Sequence, residues 1–275
     1  MRHHLIYLLW CITSLGCSSA PTTNTSGIIS LHPAVTETIF ALNAGDQLSG
    51  RSQYCGTPDA AAELPVFGTA LTPNIEALAS AQPRLVIVVT SDQTQTERIG
   101  EVASTLALPW LTTDDIVAST RQLGTHIHRV NEANALANQY EATLTSAIPD
   151  NAPTAVMLLG NGELTHKALW YIKPDSIHGS ALAAAGFRNA METGIKGAPS
   201  VSIESLIAIN PDVIIVLTTE ENQAAILSSL TPIKPLRAIQ TEQLFVVSGP
   251  HVMGNGLGIL TLVDQLRELS IQGSK

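Results

Sequence analysis

The chain has 275 residues, of which 45% are hydrophobic, and this is enough to bury the core of one large domain or of two ordinary lobes. Its net charge is −9, and its lysines and arginines form no cluster. A nucleic-acid partner is therefore excluded, because such binding needs a basic surface that neutralises phosphates.

Residues 1–17 predict an export signal. A basic residue precedes an apolar run that is too short to span a bilayer, and the run ends in small residues. Leu15-Gly16-Cys17 resembles a bacterial lipobox, in which the cysteine is lipidated and becomes the first mature residue. Ser14 departs from the usual leucine, so ordinary signal cleavage stays open as the alternative. We expect a periplasmic protein that is anchored in the membrane through a lipid on Cys17.

Residues 18–27 are rich in Ser, Thr, Pro and Asn and predict a polar tether between the anchor and the folded body. Cys55 is the only cysteine of the mature body, so no intramolecular disulfide is possible there. Stability must come from the hydrophobic core.

Strands and helices alternate along almost the whole chain, which predicts an α/β fold with largely parallel strands. We expect two doubly wound α/β lobes bridged by one long backbone helix, which is predicted at residues 131–149. The N-terminal lobe is predicted at residues 28–130, with strands at 28–31, 85–89 and 108–111, helices at 33–42, 95–106 and 116–128, and a turn-rich loop at 50–68. The C-terminal lobe is predicted at residues 150–275, with strands at 155–159, 168–172 and 244–247 and helices at 176–185, 220–228 and 258–269.

One pattern occurs twice, 128 residues apart, at 74–89 and 202–217. In each copy a glutamate, Glu76 or Glu204, lies seven residues before a proline, and a β-branched apolar run follows the proline. This predicts a short helix, a proline break and a buried strand in each lobe. Both glutamates fall off the apolar faces of their helices, which predicts a two-point contact surface. A glutamate in a first helical turn is also favoured by the helix dipole alone, without any function.

Several segments resemble the iron-chelate and vitamin B12 substrate-binding proteins of ABC importers, and the resemblance covers nearly the whole chain after Gly27. They are Ile29-Ser-Leu-His-Pro-Ala-Val-Thr-Glu-Thr-Ile-Phe-Ala-Leu42, Gly50-Arg-Ser-Gln-Tyr-Cys-Gly-Thr-Pro58, Leu64-Pro-Val-Phe-Gly68 and Pro73-Asn-Ile-Glu76. The resemblance implies a rigid two-lobed receptor that clamps a metal chelate in its cleft and delivers it to an ABC permease and its ATPase. It also implies that Glu76 and Glu204 dock on arginines of the two permease subunits, where charge-assisted contacts fix orientation.

The resemblance implies a corrinoid such as cobalamin as the favoured chelate, with a ferric siderophore or haem as alternatives. Tyr54 occupies the place where vitamin B12-binding members contribute an aromatic ring to the corrin. Haem-binding members commonly place a ligand tyrosine seven residues before the first-lobe glutamate, and that position is Thr69 here. Further candidate contacts come from loops expected to face the opposite lobe: Trp170, Tyr171, His251 and Met253. A solvated surface turn is the alternative interpretation of the His251 loop.

Arginines are the residues that siderophore binders often set against anionic catecholates, and Arg51, Arg188 and Arg237 are the few candidates. Trp110 follows a strand-like pattern and is expected in the core instead.

Motifs of catalysis and of metal binding are absent from the sequence. The histidines show no metal-ligand spacing, and there is no nucleophile elbow, phosphate-cradling loop or Cys-x-x-Cys. We therefore expect no catalytic residue, no catalytic cofactor and no direct metal site. Two alternatives of another class stay open: an exported enzyme that uses Asp114, Asp115 or His251, and an accessory or sensor protein that does not dock on a permease.

Overall fold

The computed structural model describes residues 27–89, 93–160, 169–194, 199–218 and 223–272. The predicted export signal, Cys17 and all but the last residue of the tether lie outside these ranges. Within them, no helix combines the length and the apolar composition that a membrane span requires.

The first half of the chain builds a four-stranded parallel sheet. Its strands are β1 (Ile28–Ser30), β2 (Leu48–Arg51), β3 (Leu85–Val89) and β4 (Thr105–Leu108), in the spatial order β2-β1-β3-β4. Its helices are α1 (Pro33–Ala41), α2 (Asp59–Ala62), α3 (Ile75–Ala81) and α4 (Gln93–Gly100), and a 3-10 turn lies at Gly45–Gln47. Pro33 suits the first position of α1 because its φ is already helical and it has no N–H to satisfy.

Helices α5 (Thr113–His126) and α6 (Val130–Leu144) pack against each other and connect the two halves. A capping box starts α5, since the Thr112 side chain accepts the Asp115 N–H and the Asp115 carboxylate accepts the Thr112 N–H. One face of α6 is buried at positions three or four apart, namely Ala133, Ala137, Tyr140 and Leu144. This spacing places one helical face on the core.

The second half builds another four-stranded parallel sheet. Its strands are β5 (Thr154–Gly160), β7 (Arg188–Asn189), β9 (Val213–Thr218) and β10 (Leu244–Ser248), in the order β10-β9-β5-β7, while β6 (Leu169–Trp170) and β8 (Ser200–Val201) pair antiparallel beside it. Its helices are α7 (Ile177–Ala184), α8 (Ile203–Ile209), α9 (Gln223–Leu230), α10 (Arg237–Gln240) and α11 (Gly258–Gln272).

The two sheets have the same strand order when β1 is matched with β5 and β3 with β9. Helices α3 and α8 also end alike, each at a residue in the left-handed conformation, Gln82 or Asn210. The N–H of that residue bonds to the carbonyl of Leu78 or Leu206, and a proline follows and stops the helix. The predicted unit of helix, proline break and strand is therefore present twice with the same local geometry.

The largest buried cluster contains side chains from both halves of the chain, so the lobes share one core. Ile87 of β3 belongs to this shared core, whereas its neighbours Val86 and Val88 point to a smaller cluster on the other face of the sheet. Because both faces of the central strands are covered, these strands are continuous apolar runs. A continuous core favours a rigid connection between the lobes.

The structure corrects three predicted bounds in the N-terminal lobe. The helix predicted at 116–128 is α5, which begins at Thr113 and ends at His126. The helix predicted at 95–106 lies at 93–100, and the strand predicted at 108–111 lies at 105–108, where it pairs with β3. Leu106 and Leu108 are buried while the residues beside them are half-buried, which is the alternation of a strand with one face on the core. Helix α4 ends at Gly100, and the residues after it lead into β4.

The connecting helix α6 is also shorter than predicted, because it ends at Leu144 rather than near residue 149. The loop predicted at 50–68 contains the end of β2 and the short helix α2. Both of these elements have four residues, which is too short for a periodic pattern to show in the sequence.

Candidate ligand-binding cleft

The segments that follow β4 and β10 contact each other at the junction of the lobes. Trp110 Nε1 donates to the backbone carbonyl of Asn255 at 2.9 Å, and Asn255 Nδ2 donates to the carbonyl of Trp110 at 3.1 Å. Close by in sequence, the N–H of Ile177 donates to the carbonyl of Leu111 at 3.0 Å. Trp110 is buried, which confirms its predicted place in the core. The carboxyl edges of the two sheets therefore meet at this junction.

Each sheet has a point where the strand order reverses. The chain passes from β1 outward to β2 and then returns to the other side of β1 to form β3, and β7, β5 and β9 are arranged in the same way. Parallel α/β sheets bind ligands in the crevice beyond the carboxyl ends of such strands. The loops that follow β3, β5 and β9 lie outside the described residues. The described segments beside this cleft follow β1, β2, β4, β6 and β10.

Tyr54 lies in the loop that follows β2, and its side chain is 69% exposed. Two buried residues of the same loop, Ser52 and Cys55, fix its backbone. Ser52 donates its N–H to the Ser30 carbonyl at 3.0 Å, and its Oγ lies 3.0 Å from Cys55 Sγ. The Tyr54 N–H in turn donates to Ser52 Oγ at 3.3 Å. The backbone of this loop is thus held in place, and the Tyr54 ring is left exposed at the carboxyl edge of the first sheet.

Trp170 and Tyr171 are adjacent in the chain, but their side chains point in opposite directions. Trp170 is 44% exposed, whereas Tyr171 is 3% exposed and packs in the buried cluster of the second lobe. Successive side chains of an extended segment alternate between its two faces, so both rings cannot face the same ligand. Of this pair only Trp170 offers an aromatic surface, and Tyr171 belongs to the core.

His251 and Met253 flank the buried Val252 in the loop that follows β10, and Met253 is 38% exposed. His251 Nε2 lies 2.9 Å from Gln265 Oε1 of α11, so the ring is already hydrogen-bonded within the second lobe. Gly249, which starts the loop, has a φ of 139°, a conformation that favours glycine.

A further contact between the lobes joins α1 to the same loop. Burial raises the pKa of the Glu37 carboxyl group, and the nearby N–H of Leu257 lowers it in part. Gly256 packs so closely on α1 that a Cβ there would overlap the Glu37 carboxylate.

A cavity of about 450 Å³ opens beside this contact. Its walls come from Glu37 and Phe40 of α1, the turn at Thr57 and Pro58, and the loop at 250–258. Among the residues predicted to touch the ligand, His251 lines this cavity, whereas Tyr54, Trp170 and Met253 do not.

His32 is a cleft residue that the sequence reasoning did not single out. It follows β1 directly and occupies the N-cap position of α1, although its side chain makes no capping bond. Burial lowers its pKa to about 4, so the imidazole is neutral at neutral pH. Locally the sequence around it is only a strand end before a proline-led helix. Its place at the strand-order reversal follows from the order of the strands, which no local pattern contains.

The three arginines considered for an anionic ligand are all engaged elsewhere. The Arg51 guanidinium donates to four backbone carbonyls within residues 52–64. Arg188 donates to the carbonyls of residues 149 and 150, before the amino end of β5. Arg237 pairs with Asp212 at 2.7 Å, at the amino end of β9 and thus away from the cleft. These contacts do not support the use of these side chains against a siderophore.

The aspartates considered for catalysis have a structural setting. Asp115 caps α5, and Asp114 is exposed in the first turn of that helix. Among the described residues, no three His, Cys, Asp or Glu side chains are placed to hold a metal ion together.

Glu76 and Glu204 both occupy the second position of their helices, and both are exposed. Each helix begins with a capping side chain, since Asn74 accepts the Ala77 N–H and Ser202 accepts the Ser205 N–H. At Glu204, hydrogen bonds from its own backbone N–H and from Ser202 lower the pKa of the carboxyl group and keep it charged. The two carboxylates are thus presented from the same local frame, once in each lobe.

Two parallel sheets of the same strand order, joined by helices and meeting at their carboxyl edges, define a two-lobed binding protein with its ligand cleft between the lobes. The model of the periplasmic binding protein family matches residues 28–248, and the chain belongs to this family. Members of the family are substrate-binding components of ABC importers and act in transport rather than in catalysis.

Several relatives are named as vitamin B12-binding or haem-binding proteins. The vitamin B12-binding protein of Pectobacterium carotovorum is 24% identical over 274 residues, which cover 96% of each chain. Among solved structures, the periplasmic vitamin B12-binding protein of Vibrio cholerae aligns with a TM-score of 0.74 and 20% identity, over 91% of this chain and 98% of that one. The periplasmic haem-binding protein of the same organism has the same TM-score and identity, over 89% of this chain and 98% of that one. At these identities the structural likeness shows the fold alone.

Proposed function

We propose that this protein captures a metal chelate between its lobes and delivers it to an ABC permease, and that the chelate is a corrinoid such as cobalamin. The observation that supports delivery best is the duplicated helix start at Glu76 and Glu204. A permease with two equivalent subunits offers two equivalent contacts, and a receptor with one carboxylate per lobe in the same local frame matches it. Two separated charge pairs orient the receptor and speed its encounter with the partner more than they add affinity.

Charge reversal tests the delivery role. The double variant Glu76→Arg and Glu204→Arg is expected to lose uptake of the chelate in cells while the purified protein still binds it. A matched control reverses two exposed glutamates outside the duplicated helices, Glu101→Arg and Glu268→Arg, and is expected to keep uptake. Uptake that persists in the Glu76 and Glu204 double variant would favour the accessory-protein alternative.

Support for a corrinoid comes from two exposed aromatic rings and from the contacts of three arginines. Tyr54 and Trp170 offer exposed aromatic surface, which suits a ligand with a large apolar macrocycle. The three arginines that an anionic siderophore would use are held in other contacts. The relatives named above as vitamin B12-binding proteins align over nearly the whole chain, which agrees with this choice.

Titration of the purified protein with cyanocobalamin, hemin and a small panel of ferric siderophores tests the ligand. We expect saturable binding of cyanocobalamin and no binding of the siderophores. Saturable binding of a siderophore alone would overturn the corrinoid choice, and failure of every chelate to bind would overturn the receptor proposal itself.

The proposal places the protein in the periplasm, attached to the membrane through a lipid on Cys17. The lipobox-like segment supports this attachment, and the polar segment 18–27 is long enough to separate the folded body from the bilayer.

A further inference from the structure

His32 lies at the carboxyl edge of the first sheet, at the position where parallel α/β sheets usually bind ligands. It follows the end of β1, the strand at which the strand order of this sheet reverses. The neighbouring strand β2 leads to the Tyr54 loop, and Ser30 pairs with Arg51 in the register of these two strands. Two residues after Ser30 comes His32, and three residues after Arg51 comes Tyr54. The imidazole and the exposed aromatic ring therefore arise from adjacent strand ends at one edge of the sheet.

The backbone of His32 is firmly held. Its carbonyl accepts hydrogen bonds from the N–H of Thr36 at 3.0 Å, from Thr36 Oγ1 at 3.1 Å and from Ser30 Oγ at 3.3 Å. The preceding residue, Leu31, donates its N–H to the carbonyl of Ile87 in β3 at 2.9 Å. Because this backbone is held in place before a ligand binds, the ring starts from a defined position, as a metal ligand requires.

The imidazole of His32 is neutral and has a nitrogen lone pair available, as a metal ligand requires. Burial keeps the pKa near 4, and the neutral ring is the form that coordinates metals. Nδ1 is buried without a hydrogen-bond partner, and within the described residues Nε2 is neither buried nor hydrogen-bonded. With the proton on the buried Nδ1, the lone pair of Nε2 is left for a ligand.

Two other histidines near the lobe junction lack this freedom. His251 Nε2 is bound to Gln265 at 2.9 Å, and His178 Nε2 lies 3.1 Å from the carbonyl of Val252. Each of these rings has a nitrogen already used by the second lobe. Among the described residues, the ring of His32 makes no hydrogen bond.

We infer that His32 coordinates the metal of the bound chelate axially through Nε2. In the binding step the Nε2 lone pair forms a bond to the metal, an exchangeable axial ligand such as water leaves, and the proton stays on Nδ1. No electron is transferred. This inference rests on the proposed function and narrows its ligand class to planar macrocyclic complexes with an exchangeable axial position. A ferric complex whose chelating arms fill every coordination site offers no place for the imidazole.

Visible absorption spectra of the purified full chain with aquocobalamin, cyanocobalamin and hemin test the inference. We expect the bands of aquocobalamin and the Soret band of hemin to shift on binding, because imidazole replaces the axial ligand. The bands of cyanocobalamin, whose axial cyanide exchanges poorly, should stay nearly unchanged while calorimetry still detects binding. His32→Ala should abolish the shifts and lower the affinity for hemin at least about tenfold. Removal of a residue that only supports a metal ligand already costs about that much, and loss of the ligand itself should cost no less.

Three controls separate ligation from folding. His126→Ala, at an exposed histidine in the last turn of α5, should keep the shifts. His32→Gln should behave as His32→Ala while replacing the ring with a side chain of similar polarity, and added imidazole should restore the shifted spectra of His32→Ala. Binding without any shift in the wild type, or the same shift in wild type and in both His32 variants, would overturn the inference and leave the receptor function standing. No binding of any of the three complexes to the wild type would overturn both.

Discussion

Trp110 and Asn255 exchange two hydrogen bonds across the junction of the lobes, each donating from its side chain to the backbone carbonyl of the other. The pair joins the segment after β4 to the segment after β10, so it connects the two lobes at the carboxyl edges of their sheets. Since Trp110 is also part of the shared core, the same residue holds the lobes by packing and by hydrogen bonding.

Trp110→Phe tests this contact. The variant keeps an aromatic ring but removes the Nε1–H, which leaves the Asn255 carbonyl without its donor, so we expect the free energy of unfolding to fall by about 1–3 kcal/mol. Trp170→Phe is the matched control, because that ring is exposed, and it should change the free energy by less than about 0.5 kcal/mol. Denaturant unfolding measures both, and an equal effect of the two variants would show that the junction contact adds no stability.

The duplicated helix caps predict matched losses in the two lobes. Asn74→Ala and Ser202→Ala each remove the side chain that accepts the N–H three residues later, and each should lower the free energy of unfolding by about 1 kcal/mol. Ser80→Ala, an exposed position inside α3, serves as the control and should be neutral. A loss at one cap alone would mean that the second helix start is held by other contacts.

Acid should weaken the fold through His32. Its pKa is about 4 in the folded protein and 6.5 in the reference state, so the unfolded chain binds more protons in this window. The contribution of His32 to the free energy of unfolding is therefore complete above about pH 6.5. It is lost as the pH drops toward 4, and the loss is at most about 3 kcal/mol. His32→Gln should flatten this dependence in part, because burial lowers the pKa of His178 in the same direction. Parallel curves for wild type and variant in denaturant unfolding across this range would contradict the assignment.

Tyr54→Ala should weaken binding of the chelate without weakening the fold. The ring is exposed and makes no core contact, so its loss removes only the surface that we propose to face the ligand. We expect a loss of at least about 1 kcal/mol, or roughly fivefold in affinity, by calorimetry. Tyr54→Phe keeps the ring and should bind as the wild type does; a similar loss in both variants would shift the role from the ring to the hydroxyl group.

Cys17→Ala should release the protein from the membrane. If the cysteine carries the lipid, the variant loses its anchor and is recovered away from the membrane fraction, because a polar tether alone has no affinity for a bilayer. Cys11→Ala removes the other cysteine of the predicted signal and should leave the attachment intact. Fractionation of cells that express each variant gives the answer, and wild-type protein found only in the soluble fraction would favour ordinary signal cleavage.

The repeated unit of helix, proline break and strand could be predicted from neighbouring residues alone. A proline after a short helix must end it, and a following run of β-branched residues packs best in a buried strand, so the pattern at 74–89 and 202–217 had only one reasonable interpretation. The exposure of Glu76 and Glu204 follows from helical periodicity in the same way, and the structure agrees with it.

The composition of the cleft was decided by tertiary structure. Which strand ends meet depends on strand order, and this order brings His32 beside the Tyr54 loop although no local pattern marks that histidine. Tyr171 and Trp170 are adjacent in sequence, yet packing on the second sheet buries one and exposes the other. Arg237 is taken by Asp212, and Trp110 is tied to Asn255, through contacts between residues far apart in the chain. The sequence by itself determined the helix, break and strand of each repeated unit, because those depend on neighbouring residues. The site depends on long-range pairing, and only the folded arrangement of the strands specifies it.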